Sequence, residues 1–227
     1  MEELTMLIKK RKALRIPPKS RMKRDAVYFR KGVSEEDYFD LSTEDDKWEL
    51  LNATLIIHSP ASPRHQLITQ FLGWILMGYV RHKDLGAVWY APTTLHLATS
   101  RNVEPDIFFI HKDNPVRRDE LCLTGIPDLV IEVTARARRR YDLGRKLEEY
   151  QRAKVREIWI VDYERERLHR YWRVRGRYKD EVIESGRVYS KVVEGFWVDA
   201  SWLWSDPPPN ELWALEQIEM ERNPCTG

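Results

Sequence analysis

Between positions 63 and 82 the apolar residues return at helical spacing. Leu67, Phe71, Trp74, Ile75 and Gly78 fall near one face, which predicts a long helix over 63–82. Leu143, Leu147 and Tyr150 repeat the pattern at i, i+4 and i+7 and predict a second helix over 142–153. Ser34 followed by Glu35, Glu36 and Asp37 reads as an N-cap with acids in the first turn, so a short helix is expected over 34–40. Two β-like runs, 48–51 and 54–58, flank Asn52-Ala53 as a hairpin. Further strands are predicted over 86–91, 94–98 and 103–111. The runs 126–134 and 156–163 are apolar on both faces, the mark of central strands. Positions 168–174 and 188–198 add strands at an edge. Pro207, Pro208 and Pro209 break the chain before a closing helix over 211–222. Near the N-terminus, Leu4, Leu7 and Ile8 begin a short helix that Pro17 and Pro18 end.

Strands, then a strand–helix–strand unit, then strands predict an α/β fold with a mixed central β-sheet flanked by helices. The expected organisation is a basic tail over 1–26, a compact domain over 27–205 and a C-terminal helical extension over 206–227. Composition agrees with a packed domain: of 227 residues 42% are hydrophobic, and nine Trp, ten Tyr and six Phe can fill a core. No apolar run approaches the ~20 residues that span a bilayer, and no apolar segment follows the basic N-terminus as in a secretory signal. Cys122 and Cys225 form neither a disulfide framework nor a metal knuckle, so the cytoplasm is the expected compartment. Net charge is only +2, but Lys9 to Arg24 carries nine basic residues and no acid. Arg136 to Arg156 carries nine more against Asp142, Glu148 and Glu149. Such clusters either follow a phosphate backbone or form a solvated face.

Three segments stand out for chemistry. Val103-Glu104-Pro105-Asp106-Ile107 sets a carboxylate at the start of an apolar strand. Pro127-Asp128-Leu129-Val130-Ile131-Glu132-Val133 holds Glu132 inside another, where an ionised carboxylate must be paired or bind a metal. On the following helix Lys146 lies one position from the apolar stripe. Two carboxylates can hold Mg²⁺ through oxygen, and a nearby lysine can orient water or offset developing charge. The plainer alternatives are a turn cap at Asp106, a salt bridge from Glu132 to the Arg136–Arg140 run, and an i, i+4 ion pair between Asp142 and Lys146. Asp128 shares a strand face with Glu132 but lies roughly 13 Å along it, too far to share one ion.

In these segments the sequence resembles the PD-(D/E)XK nuclease superfamily, and within it the Uma-two family of restriction-endonuclease-like proteins. The resemblance runs from about 34 to 175 and rests on WELLNATLIIHSPASPRHQ, VEPDIFFI, PDLVIEV, EIWIVDY and the Asp142-x-x-x-Lys146-x-x-x-Tyr150 helix. It implies a restriction-endonuclease-like core and a Mg²⁺-dependent endonuclease acting on DNA, with Mn²⁺ able to substitute. Asp106 and Glu132 would be the metal ligands, Glu49 an additional carboxylate, and Lys146 the lysine that has moved from position 134, occupied here by Thr134. His65 matches a family histidine that serves either the site or the helix start. Tyr150 reads as a packing residue, and Gln151 as a side chain that could face the site. By analogy with enzymes that cut both strands, a homodimer is expected. The chain departs from the family where a Ser-Pro-Ser type turn is usual: Thr134 is followed by Ala135-Arg136-Ala137-Arg138-Arg139-Arg140 as a basic loop. That departure keeps a second reading open, a catalytically decayed nucleic-acid-binding module. A third, a protein-interaction domain, is suggested by Trp202, Trp204 and Trp213.

Overall fold

A computed structural model describes residues 10, 14, 16–43 and 46–220. The helix expected around Leu4 and Leu7 lies outside the described residues, as does Cys225. The strands are Val27–Lys31 (β1), Trp48–Leu51 (β2), Thr54–His58 (β3), Gly86–Tyr90 (β4), Leu95–Ala98 (β5) and Arg101–Val103 (β6). Ile107–His111 (β7), Arg117–Arg118 (β8), Leu123–Thr124 (β9), Leu129–Thr134 (β10), Glu157–Asp162 (β11) and Arg167–Val174 (β12) follow. Arg177–Ile183 (β13), Arg187–Tyr189 (β14) and Trp197–Asp199 (β15) complete the set.

The fold is α/β with mixed sheets flanked by helices, and the strands divide between two main sheets. One runs β1-β3-β2-β6-β5-β9-β8; the other runs β13-β12-β11-β10-β7-β4. In the second, β10 and β11 are parallel and the remaining pairs antiparallel. The long helix Pro63–His82 forms as its spacing predicts, started by Ser62, whose hydroxyl accepts from the His65 amide. Side-chain alternation then sorts the core. Ile107, Phe109, Leu129, Ile131, Val133, Trp159 and Val161 face the long helix, where they meet Ile68, Phe71, Leu72 and Ile75. Phe108, Val130, Ile158 and Ile160 face the other way, against Leu51, Ile56, Leu95 and Val103 of the first sheet. Trp202 and Trp213 stack edge to face, and Trp202 and Trp204 pack on the first of these clusters, which also buries Ala214 and Ile218 of the closing helix. Much of the tryptophan-rich segment is therefore core covering rather than free surface.

Two differences from the expected elements matter for the site. The run 103–111 is not one strand: Glu104-Pro105-Asp106 carries the chain from β6 in one sheet to β7 in the other. Proline lacks the N–H a ladder needs, so the break falls there. The expected basic loop after β10 is helical: Arg136–Tyr141 runs into a π turn, Asp142–Lys146, and on into Leu147–Arg152.

Gly73 of the long helix lets β4 approach, since a Cβ there would lie 2.3 Å from the Tyr90 ring. Gly73→Ala should cost about 1–3 kcal/mol, the range for overpacking, read as a lower denaturant midpoint with unchanged slope. Glu157 is buried at the start of β11 and accepts from Ser190 Oγ, the Lys191 and Val192 amides and Trp159 Nε1. Burial raises its pKa despite these bonds. The folded state therefore holds this proton more tightly than the unfolded chain, and the related stability is complete below the unfolded value and lost as pH rises through the folded one. Glu157→Gln should flatten that loss in melting temperatures taken from pH 4.5 to 8; an unchanged slope would refute the assignment.

Candidate active site

The β7–β10 register pairs Ile107 with Ile131, so Asp106 falls opposite Glu132 one step on. In-register residues of antiparallel strands share a face. Both therefore point between the sheets, towards Glu49 on β2. The helix that follows β10 brings its own stripe inward: Arg138, Asp142, Lys146 and Tyr150, spaced by four, are all buried.

Lys146 is sealed inside. Its ammonium lies 2.7 Å from Glu49 Oε1 and 2.7 Å from Glu132 Oε1. Tyr150 donates its hydroxyl to the same Glu132 oxygen at 2.5 Å, so it is a site hydrogen-bond donor and not only a packing residue. Glu49 also receives the Glu104 amide (3.0 Å), the Tyr141 hydroxyl (2.7 Å) and His58 Nε2 (2.8 Å). Burial drives the His58 pKa down to about 3, against the pull of Glu49, so its imidazole is neutral and donates. Burial would raise Glu49, but Lys146 and then His58 outweigh it and hold it well below the usual carboxylate range. In Glu132 burial prevails over Lys146, and with the charge of Asp106 pushes its pKa up to about 7. Burial would lower Lys146; Glu132 and Glu49 reverse that and fix it as an ammonium.

Asp106 sits beside this cluster, at the bottom of a surface cleft of about 900 Å³ that Lys47, His58, His65 and Arg138 also line. The long helix and the Tyr90–Pro92 turn supply its walls through Gln66, Gln70, Trp74 and Tyr90. Asp106 Oδ1 pairs with Lys47 at 2.5 Å. Its Oδ2 accepts the Val133 amide at 2.8 Å and lies 3.2 Å from His65 Nε2. Burial works against its charge, yet Lys47, His65 and Arg138 together hold its pKa well below the ordinary value. Arg138 places one terminal nitrogen 2.7 Å from the Val133 carbonyl, 2.5 Å from His65 Nε2 and 3.7 Å from Asp106 Oδ2.

Glu49, Glu132 and Lys146 thus come together as one ion cluster, with Asp106 adjacent on the cleft side. Lys146 does not line the cleft. Asp128 is elsewhere, binding the His111 amide, Asn114 and Arg156. Gln151 lines a shallow surface groove with Arg152 and Lys154, away from the cleft. Asp142 and Lys146 are more than an i, i+4 ion pair, since both are buried and Lys146 binds Glu49 and Glu132, and the arginine run meets Asp106 rather than Glu132. Lys47, His58, Tyr141 and Arg138 were not singled out by the sequence. The signal for Arg138 is the four-residue spacing Arg138-Asp142-Lys146-Tyr150, which shows only when the helix begins at Arg136 rather than at the predicted 142.

A match for divalent metal is partial. Asp106, Glu132 and the Val133 carbonyl offer the oxygen donors Mg²⁺ prefers. Yet Asp106 is taken by Lys47, His65 and the Val133 amide, Glu132 Oε1 by Lys146 and Tyr150, and the Val133 carbonyl by Arg138. Among the described residues, no three His, Cys, Asp or Glu side chains are grouped to hold a metal ion. As arranged, the residues do not fit the metal.

The α/β core of mixed sheets flanked by helices is consistent with a restriction-endonuclease-like fold. A crystal structure of a putative nuclease belonging to DUF820 from Anabaena variabilis superimposes with a TM-score of 0.64, covering 76% of this chain and 97% of that one at 13% identity. The family model described as "Uma2: Putative restriction endonuclease" matches residues 35–201, and the chain belongs to that family. No curated protein matches the chain. No helix among the described residues is long and apolar enough to cross a membrane.

Removing the amine of Lys146 strands two buried carboxylates. Lys146→Met should therefore destabilise by about 3–5 kcal/mol, and Lys146→Met with Glu132→Gln should recover part of it. Urea unfolding of wild type and the two variants checks this; a Lys146→Met protein as stable as wild type would contradict it.

Proposed function

We propose that the protein is a nuclease that hydrolyses phosphodiester bonds of DNA in the Asp106 cleft. The observation that carries this reading is the convergence of Lys47, Arg138 and His65 on one buried carboxylate at the cleft floor. Lys47 and Arg138 supply fixed positive charge for phosphate oxygens. His65, held through Nε2 between Asp106 and Arg138, fixes the polar floor on which an attacking water is oriented. Trp74 and Tyr90 on the walls offer faces on which a base can stack. Lys146 acts through Glu132 and Glu49 as a positioning residue. Mg²⁺ or Mn²⁺ at Asp106 and Glu132, which the family implies, would need the Arg138 contact to open first. A homodimer, each copy cutting one strand, is the assembly proposed.

A second reading is favoured by that same Arg138 contact: a module that binds nucleic acid without metal and does not cut. Plasmid nicking with Mg²⁺, Mn²⁺ or EDTA separates the two. Wild type should nick, and Asp106→Ala should lose at least ~100-fold, the scale of one acid–base or electrostatic contribution. Equal nicking by both, or none by wild type beside salt-dependent binding in EDTA, would displace the nuclease reading in favour of another site or of the binding module.

A further inference from the structure

The structure assigns Arg138 to the metal position itself: its guanidinium is a built-in cation that keeps divalent metal away from Asp106. The inference rests on the nuclease reading for what the position is, and goes beyond it in saying what fills it. Five acceptors face this one side chain. They are the Val133 carbonyl at 2.7 Å, His65 Nε2 at 2.5 Å, His58 Nδ1 at 3.5 Å, Asp106 Oδ2 at 3.7 Å and Asp142 Oδ2 at 4.0 Å from Arg138 Nε. Carboxylates, carbonyls and imidazoles are the donors a divalent cation recruits, and here they converge on a guanidinium.

Three details favour competition over coexistence. Arg138 is 2% exposed and held at the cleft floor by the Val133 carbonyl, His65 and Asp106, so it yields the position only by breaking those contacts. His65 Nε2 can donate to Asp106 or accept from Arg138, not both, and in either state it has no lone pair free for a metal. Asp142 Oδ2 is buried with no hydrogen-bond partner, so its nearest compensation is the same guanidinium. Burial lowers the arginine pKa, but Asp106, Asp142 and Glu132 outweigh it and fix the group as a cation. Bringing a doubly charged ion beside a buried, permanently charged guanidinium is electrostatically prohibitive. Metal entry therefore requires Arg138 to leave.

Mn²⁺ titration followed by electron paramagnetic resonance and calorimetry tests this on the full chain. Wild type should bind Mn²⁺ only weakly, and Asp106→Asn should not change that binding. Arg138→Met should create one site at least ~tenfold tighter than anything in wild type, and adding Asp106→Asn should abolish it. An Asp106-dependent Mn²⁺ site in wild type, as tight as in Arg138→Met, would overturn the assignment. If Arg138→Met does not fold, the wild-type and Asp106→Asn comparison decides alone: Asp106-dependent binding refutes, and its absence supports. The readout is metal binding, so a protein that never nicks DNA yet gains the site on Arg138→Met would sink the nuclease reading and leave this inference standing.

Discussion

Charge compensation in a dry interior is the constraint on which the rest of this molecule depends. Four carboxylates, those of Glu49, Asp106, Glu132 and Asp142, are buried between two sheets and one helix. An uncompensated buried charge costs several kcal/mol, so each must find a cation or a proton. Lys146 answers Glu49 and Glu132, Lys47 and Arg138 answer Asp106, and Arg138 is the nearest cation to Asp142. Counting Glu104 beside Glu49, three cations face five buried acids; burial pushes Glu104 well above the usual carboxylate range and Glu132 up to about 7, and these two are where protons can make up the balance.

The chain reaches this arrangement by two departures from regular structure. Pro105 ends a strand, so Asp106 rides the crossing between sheets instead of lying within one. The π turn at Asp142–Lys146 interrupts the α-helix where two charged side chains must both face inward. Such turns cluster at functional sites because they re-aim side chains. The cleft beside Asp106 is then bounded by the long helix, whose polar face carries Gln66 and Gln70 into it. Fold and site are one problem here: the acids draw in the cations, and the cations fix how the helix after β10 must sit.

Much of this was legible in the sequence. The long helix, the hairpin around Asn52-Ala53 and the two central strands form as their patterns predict, because each has a period that only one local structure satisfies. Glu132 is legible because a charged residue in an apolar run demands a partner, and Lys146 because it stands beside the apolar stripe of its helix; Glu49 is marked only by the family resemblance. What was not legible were groups whose role depends on a neighbour distant in sequence. Lys47 precedes an ordinary strand, His58 ends another, and nothing local says that they meet Asp106 and Glu49. Arg138 was lost in a run of arginines, where four similar residues give no hint which one turns inward. The runs Val27–Lys31 and Arg177–Ile183 carry no predicted strand because their charged residues blur the alternation; both are edge strands that form by pairing with β3 and β12.

The protein's own cations, Arg138 foremost, already satisfy the acidic floor of the cleft. Anomalous diffraction from crystals soaked in Mn²⁺ puts this to the test. No Mn²⁺ peak should appear within coordination distance of Asp106 while the Arg138 guanidinium remains at the Val133 carbonyl. A Mn²⁺ ion bound to Asp106 and that carbonyl, with Arg138 still in place beside it, would contradict it.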